Sequence, residues 1–431
     1  MSHETKQQLL RKSEAVKSVT FVLILTVFSI LLSANSVHAI EVTATVPVGL
    51  GPVRAVYDSG RGEVFVANGG SNSVSVISDV NDSVIATISL PSDSPSPSDI
   101  AYDSSKGEIF VLNNPFDDIF ASSTISVISD TTNSIVTTIN LGFSNVAGIC
   151  YDLKMRDIVV ASQTPGGPVT FISDTSNSVA STVNVGGHPQ GIVYDSGTGA
   201  IFVSTEGDTN SWVSVIPDYS NAVITNVTVQ NVPIGLAYDS GKGEIFAAIV
   251  GTTELVNPEL GVIIISDQTN SVVASVPMSE GTVNLAYDNK QGLIFVSYAG
   301  ESNVVSVISD SSNSVVANIT LADPTLWGLC YDSAKSEIYA PNFYNSTVTV
   351  ISDELATTHL ATTPSSTPTV PESSWLAILP VFIFILSIAI IIGLGLAVYF
   401  RKHKPKTESD RNLDQVRQEN LTNNHLSDLT S

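Results

Sequence analysis

Val127–Ile139 reads VISDTTNSIVTTI, and Val76–Ile88 has already spelled nearly the same phrase as VISDVNDSVIATI. In each, two runs rich in Val, Ile and Thr flank a cluster of Asp, Thr, Asn and Ser. β-Branched residues fit a pleated, half-buried surface, and Asp and Asn side chains close turns by bonding nearby backbone. The phrase predicts a β-hairpin, and its recurrence predicts a repeat.

The repeat is counted on Tyr-Asp pairs. Tyr57, Tyr102, Tyr151, Tyr194, Tyr238, Tyr287 and Tyr331 are each followed by Asp, at spacings of 45, 49, 43, 44, 49 and 44 residues. A period in the forties with four β-like runs is the signature of a propeller blade. The unit around Tyr194 shows all four runs: GIVYD, AIFVSTE, SWVSVIPD and NAVITNVTV. One blade is too small to bury its own apolar face, so stacking round an axis must do it.

The expected fold class is therefore all-β: a seven-bladed β-propeller of four-stranded blades over residues 40–353. The seventh unit has a third run, STVTVISD, but no convincing fourth. Upstream of the first unit, VTATVPVG at Val42–Gly49 resembles VASTVNVG at Val179–Gly186. This predicts a ring closed by the N-terminal strand, with Pro47 tolerated on an outer edge that can spare an N–H.

Charge narrows the function. From Ile40 to Ser374 there are 8 Lys plus Arg against 34 Asp plus Glu, a local net of −26. An acidic body repels phosphate, which excludes nucleic acid as a partner. Cys150 and Cys330 occupy equivalent positions of well-separated repeats and are read as two free thiols.

The ends suggest a compartment. Lys6, Arg11, Lys12 and Lys17 precede an apolar run over Val19–Leu32 and the small-residue site Val37-His38-Ala39, the layout of a secretory signal peptide at residues 1–39. Trp375–Phe400 is uncharged and is followed by Arg401, Lys402, Lys404 and Lys406. This predicts one C-terminal transmembrane helix, with the propeller extracellular at the plasma membrane and the disordered tail, 401–431, cytoplasmic. Residues 354–374, rich in Thr, Ser and Pro, read as a stalk.

VFVAN at Val64, IFVLN at Ile109 and the recurring VISD followed by NS resemble the YVTN-type β-propeller repeats of surface-layer and other cell-surface proteins. The resemblance covers about Ile40 to Asp353. It implies a propeller and a surface setting, and it transfers no functional residue because the family shares strands and turns, not an active site. The Tyr-Asp-Ser turn is a departure from the pattern.

In such a blade the first-to-second and third-to-fourth turns share one face of the disc. Those turns are monotonous, as in YDSGKGE and ISDTTNS, and their fourteen aspartates, Asp58, Asp79, Asp195 and Asp310 among them, read as Asx-turn residues. They do not form a dense calcium loop.

The opposite face holds the irregularity: NNPFDDIFASS from Asn113, VGTTELVNPELG from Val250, and PSDSPSPSD from Pro91 in the connection to unit two. Insertions gathered on one face mark a binding face. Its candidate residues are Phe116, Asp117, Asp118, Phe120, Glu206, Asp208, Trp212, Trp327 and Tyr344, aromatics beside carboxylates that suit a surface protein or glycan. Asn81, Asn226, Asn318 and Asn345 open candidate N-glycosylation sequences.

His188 is the single histidine of the propeller, so a cluster of imidazoles is excluded by count. No catalytic or metal-ligating residue is assigned, and no cofactor is expected. The expectation is a membrane-anchored, non-catalytic binding, adhesion or surface-layer module, with lateral self-association a second route to function. The alternative is an exported hydrolase or lyase with a carboxylate or metal site on the variable loops.

Overall fold

The computed structural model describes residues 40–91, 96–115, 121–220, 222–251, 260–300, 302–322 and 328–353, all within one compact unit. The segments read as signal peptide, stalk, membrane helix and tail lie outside the described residues.

The β-branched runs form antiparallel strands joined by tight turns, and these group into seven four-stranded sheets. Blade 1 takes Pro52–Asp58, Glu63–Asn68, Ser73–Ser78 and Ser83–Ser89 in order across its sheet. Blades 2–6 repeat that order. Blade 7 supplies Cys330–Asp332, Glu337–Asn342 and Thr347–Ser352, and its fourth strand is the N-terminal Glu41–Pro47. Pro47 lies opposite Thr347 on the outer edge. The chain is an all-β seven-bladed propeller, with the ring closed as the matching of VTATVPVG predicts.

Second and third strands carry the core because they are covered on both faces by neighbouring blades. Phe65, Phe110, Phe202, Phe246 and Phe295, eight residues after their Tyr-Asp tyrosines, are fully buried, and Val159 and Tyr339 take the same place in blades 3 and 7. Burying a side chain of that size stabilises by about 1.5–3 kcal/mol, which is why inter-blade packing can hold the disc without disulfides; both cysteines are free.

First strands of successive blades touch one another, which makes them the innermost elements around the axis. In blades 1–6 a bulge interrupts this strand three or four residues before its tyrosine. Outermost strands are bulged in six blades: the pairing skips Ile85, Val136, Ala180, Val273, Val316 and Thr43. Bulges twist an exposed edge away from further pairing.

The segment from Pro91 differs from its expectation. Ser96–Asp103 is the first strand of blade 2, so the second half of PSDSPSPSD is sheet and not connection. Proline is accommodated there because Pro97 precedes the bulge, where a ladder N–H is not needed.

Candidate functional site at the mouth of the central channel

The two faces of the disc are built differently. On the face of the first-to-second turns, Asp58 Oδ1 accepts the N–H groups of Gly60 (2.8 Å) and Arg61 (3.2 Å). Asp103, Asp152, Asp195, Asp239, Asp288 and Asp332 do the same two and three residues on. These seven are the Asx turns the sequence predicts.

The other seven aspartates are different. Asp79 and its equivalents donate their own N–H to the left-handed residue of the first-to-second turn, Gly62 in blade 1 and Arg156 or Ser336 where glycine is lacking. Four of their carboxylates meet a tyrosine or a cation: the Tyr57 hydroxyl donates to Asp79 Oδ2 (3.2 Å), Tyr151 donates to Asp174 Oδ2 (2.9 Å), and Asp218 and Asp310 pair with Lys154 and Lys242. The reading of all fourteen as Asx turns is corrected to seven: Asp79, Asp174, Asp218 and Asp310 meet tyrosine or lysine instead, whereas the other five tyrosines bond the Asx-turn aspartate of the preceding blade, as Tyr102 does Asp58.

The five lysines of that face are engaged between blades, whereas Arg61 and Arg156 pair within their own. Lys106 Nζ donates to the Asp174 carbonyl (2.5 Å), Lys154 pairs with Asp218 (2.8 Å), and Lys290 donates to the Ala334 carbonyl (3.0 Å). Lys242 reaches Asp310, and Lys335 reaches the Asp79 carbonyl across the ring closure. Each contact runs from one blade to the next in the same direction. Burial raises the carboxyls of Asp79, Asp152, Asp267 and Asp310 above the usual range. Asp174 is held below it, since Thr175, Tyr151, Lys106 and Arg156 together outweigh its burial.

Seven of the eight propeller cations sit in these turns. Arg54 is the exception, on the innermost strand of blade 1, three residues before Tyr57. Its Nε lies 3.4 Å from Asp99 Oδ1, the residue at the same step of blade 2. Asp99 Oδ2 accepts the Ile149 N–H of blade 3 (3.1 Å), and Asn284 Oδ1 accepts the Leu329 N–H of blade 7 (3.0 Å) in an equivalent contact. Burial raises the Asp99 carboxyl, and Arg54 and the two backbone N–H groups oppose the shift.

The other blades place glycine at this step: Gly148, Gly191, Gly235 and Gly328. A Cβ at Gly191 would collide with the Ile234 carbonyl oxygen, and one at Gly235 with that of Val283. The channel wall is thus drawn together by close backbone approach at Gly191, Gly235 and Gly328 and by side chains at Arg54, Asp99 and Asn284.

One step toward the variable face stand the bulged residues Val53, Ser98, Ala147, Gln190, Ile234 and Val283, all half-buried. Bulges beside functional sites re-aim side chains, and six in one ring place six side chains about the channel mouth. In blades 3 and 4 the ring extends outward: Gln163 Nε2 donates to Gln190 Oε1 (3.0 Å) and Gln190 Nε2 to Glu206 Oε2 (2.9 Å). Glu206 is registered opposite the exposed His188.

The candidates read from sequence divide around the disc. Glu206, Asp208 and Trp212 gather in blade 4. Tyr344, 62% exposed, lies in blade 7, stacked edge-on against Phe343 with ring centres 5.5 Å apart. Trp212 is half-buried: its ring packs by Gly186 and Gly187, and its Nε1 donates to Ser214 Oγ (3.0 Å). Phe116, Asp117, Asp118, Phe120 and Trp327 lie outside the described residues. Among the described residues no three His, Cys, Asp or Glu converge where a metal could sit. Sequence reading missed Gln163, Gln190, Arg54 and Asp99, since a bulge leaves no mark in a repeat that keeps its length; the step three residues before each Tyr-Asp, where Gly gives way to Arg, Asp and Asn, was the available signal.

No family model matches this chain, and no curated protein is similar to it. Among solved structures, hydrazine synthase from Kuenenia stuttgartiensis is similar in architecture, with a TM-score of 0.61 at 16% identity over 71% of this chain and 96% of that one. A total of 1742 solved chains are similar, a breadth that belongs to a fold shared by many activities. The likeness establishes the propeller and nothing finer.

Proposed function

We propose that the chain is a membrane-anchored, cell-surface recognition module that binds a protein or glycan of the envelope through the variable face, around the channel mouth. One observation carries the reading. The turn face spends its five lysines on holding neighbouring blades together, whereas the opposite face combines the length insertions with a ring of re-aimed side chains. A surface whose polar groups are not needed for the fold is the one available for a partner.

The YVTN-type phrases, the apolar run at Trp375–Phe400 and the basic residues after it support an exported propeller on a single span. The net of −26 over Ile40–Ser374 supports a partner other than nucleic acid. Lateral assembly by strand addition is the weaker route, since six outermost strands are bulged, five of them at an exposed apolar residue and the sixth at Thr43.

The test is binding of detergent-solubilised full chain to envelope extract of its own cells. Replacing Gln190 and Glu206 together should reduce retention at least tenfold, and replacing Lys290 on the turn face should leave it unchanged.

A further inference from the structure

The outermost strands carry one position where two blades depart from the rest together. Opposite the middle of the third strand stand Thr87, Thr138, Thr182, Ser275 and Thr45 in blades 1, 2, 3, 5 and 7. In blades 4 and 6 the residue is Asn226, opposite Ser214, and Asn318, opposite Ser306. Two residues on, the first group has Ser89, Asn140, Asn184, Pro277 and Pro47, whereas the asparagine blades have Thr228 and Thr320. Among these equivalent positions, Asn arrives only with Thr at the second place after it.

The geometry fits that pairing. Ser214 Oγ donates to Asn226 Oδ1 (2.8 Å), and Ser306 Oγ donates to Asn318 Oδ1 (2.6 Å). Each serine is itself backed by an aromatic side chain, Trp212 Nε1 at 3.0 Å and the Tyr298 hydroxyl at 2.5 Å. An amide whose carbonyl is held against the sheet has its Nδ2 turned away from that bond. Asn226, Thr228, Asn318 and Thr320 are all exposed, and residues two apart in a strand share a face. Nucleophile and hydroxyl therefore stand side by side toward solvent.

We infer that Asn226 and Asn318 carry N-linked glycans. The inference rests on the exported reading above, because the transferring enzyme and its donor, a glycosyl phosphate, act on the outer side. In the step, Nδ2 bonds to the anomeric carbon as that carbon's bond to the phosphate oxygen breaks. The phosphate leaves with the electron pair, and one amide proton passes to a base of the transferase. A glycan at either place would also stand over the free edge of its blade and deny it to a second chain.

The experiment takes full chain from its own cells, labels intact cells beforehand with a membrane-impermeant amine reagent, and maps peptides by mass. The expected result is propeller lysines labelled from outside, with sugar-containing mass additions on the Asn226 and Asn318 peptides. T228A and T320A, which keep the asparagine and change an exposed threonine, should each abolish the addition at their own site only. Bare Asn226 and Asn318 in chain labelled from outside would overturn the inference while leaving the exported reading standing. Bare asparagines in unlabelled chain would overturn both.

Discussion

The Tyr339 hydroxyl donates to Asp82 Oδ1 at 3.0 Å, across the seam where the last blade meets the first. Both partners are exceptions to the repeat. Tyr339 stands where five blades bury Phe and one Val, and Asp82 holds a left-handed turn position taken by Asn133, Asn177, Asn270 and Asn313 in blades 2, 3, 5 and 6. Two departures that meet at the ring closure mark it as the joint that needed its own bond. A hydrogen bond to a charged group contributes about 1.5–3 kcal/mol. Tyr339→Phe should lower unfolding stability by about that amount in a denaturant titration, without changing the m-value.

The seam also sets a pH dependence. Glu337 is pushed up to about 7, first by burial and then by Asp82, with Asp332 adding to the rise and Lys335 and Tyr339 opposing it. Asp353 is raised by burial and by Asp288, and Glu63, Glu108 and Glu244 are raised by burial. A raised carboxyl binds its proton more tightly folded than unfolded, so its contribution is complete below the unfolded value and is lost as pH climbs through the folded one. The melting temperature should therefore fall from pH 5 to pH 8, and Glu337→Gln should flatten the part of the fall near pH 7. Asp174, shifted the other way, acts only at more acid pH.

Glycine at the channel step is a packing requirement. Gly191→Ala drives a methyl into the Ile234 carbonyl oxygen, with backbone on both sides of the clash. Gly148→Ala meets the Ile192 side chain at 3.2 Å, which can give way. Overpacking costs about 1–3 kcal/mol where neighbours cannot move, so the first substitution should fall in that range by thermal or chemical unfolding and the second should cost less.

Removing residues 40–47 should expose the third strand of blade 7, Thr347–Ser352, whose Val348, Val350 and Ile351 are fully buried. An unpaired apolar edge invites pairing between chains. The expected readout in size-exclusion chromatography is a shift from a single peak to aggregates, and an unchanged peak would show that the strand is dispensable.

Much of this was legible from sequence. Seven blades, the Asx turns at Asp58 and its equivalents, and closure by Glu41–Pro47 follow from periodicity and turn chemistry, which act locally. The Arg54–Asp99 pair, the Gln163–Gln190–Glu206 chain and the Tyr339–Asp82 bond join residues of different blades, and only the wrapping of the ring brings them together. Pro91–Asp99 misled because proline and serine suggest loop, whereas the bulge of blade 2 makes room for Pro97 within a strand.

The measurement closest to the central claim compares envelope binding by the full chain with Gln190 and Glu206 changed to Ala against Lys290→Ala. Recognition at the channel mouth predicts that the first loses binding at least tenfold while keeping its melting temperature, and that the second binds as the unaltered chain does. Equal binding by both, at equal stability, would contradict it.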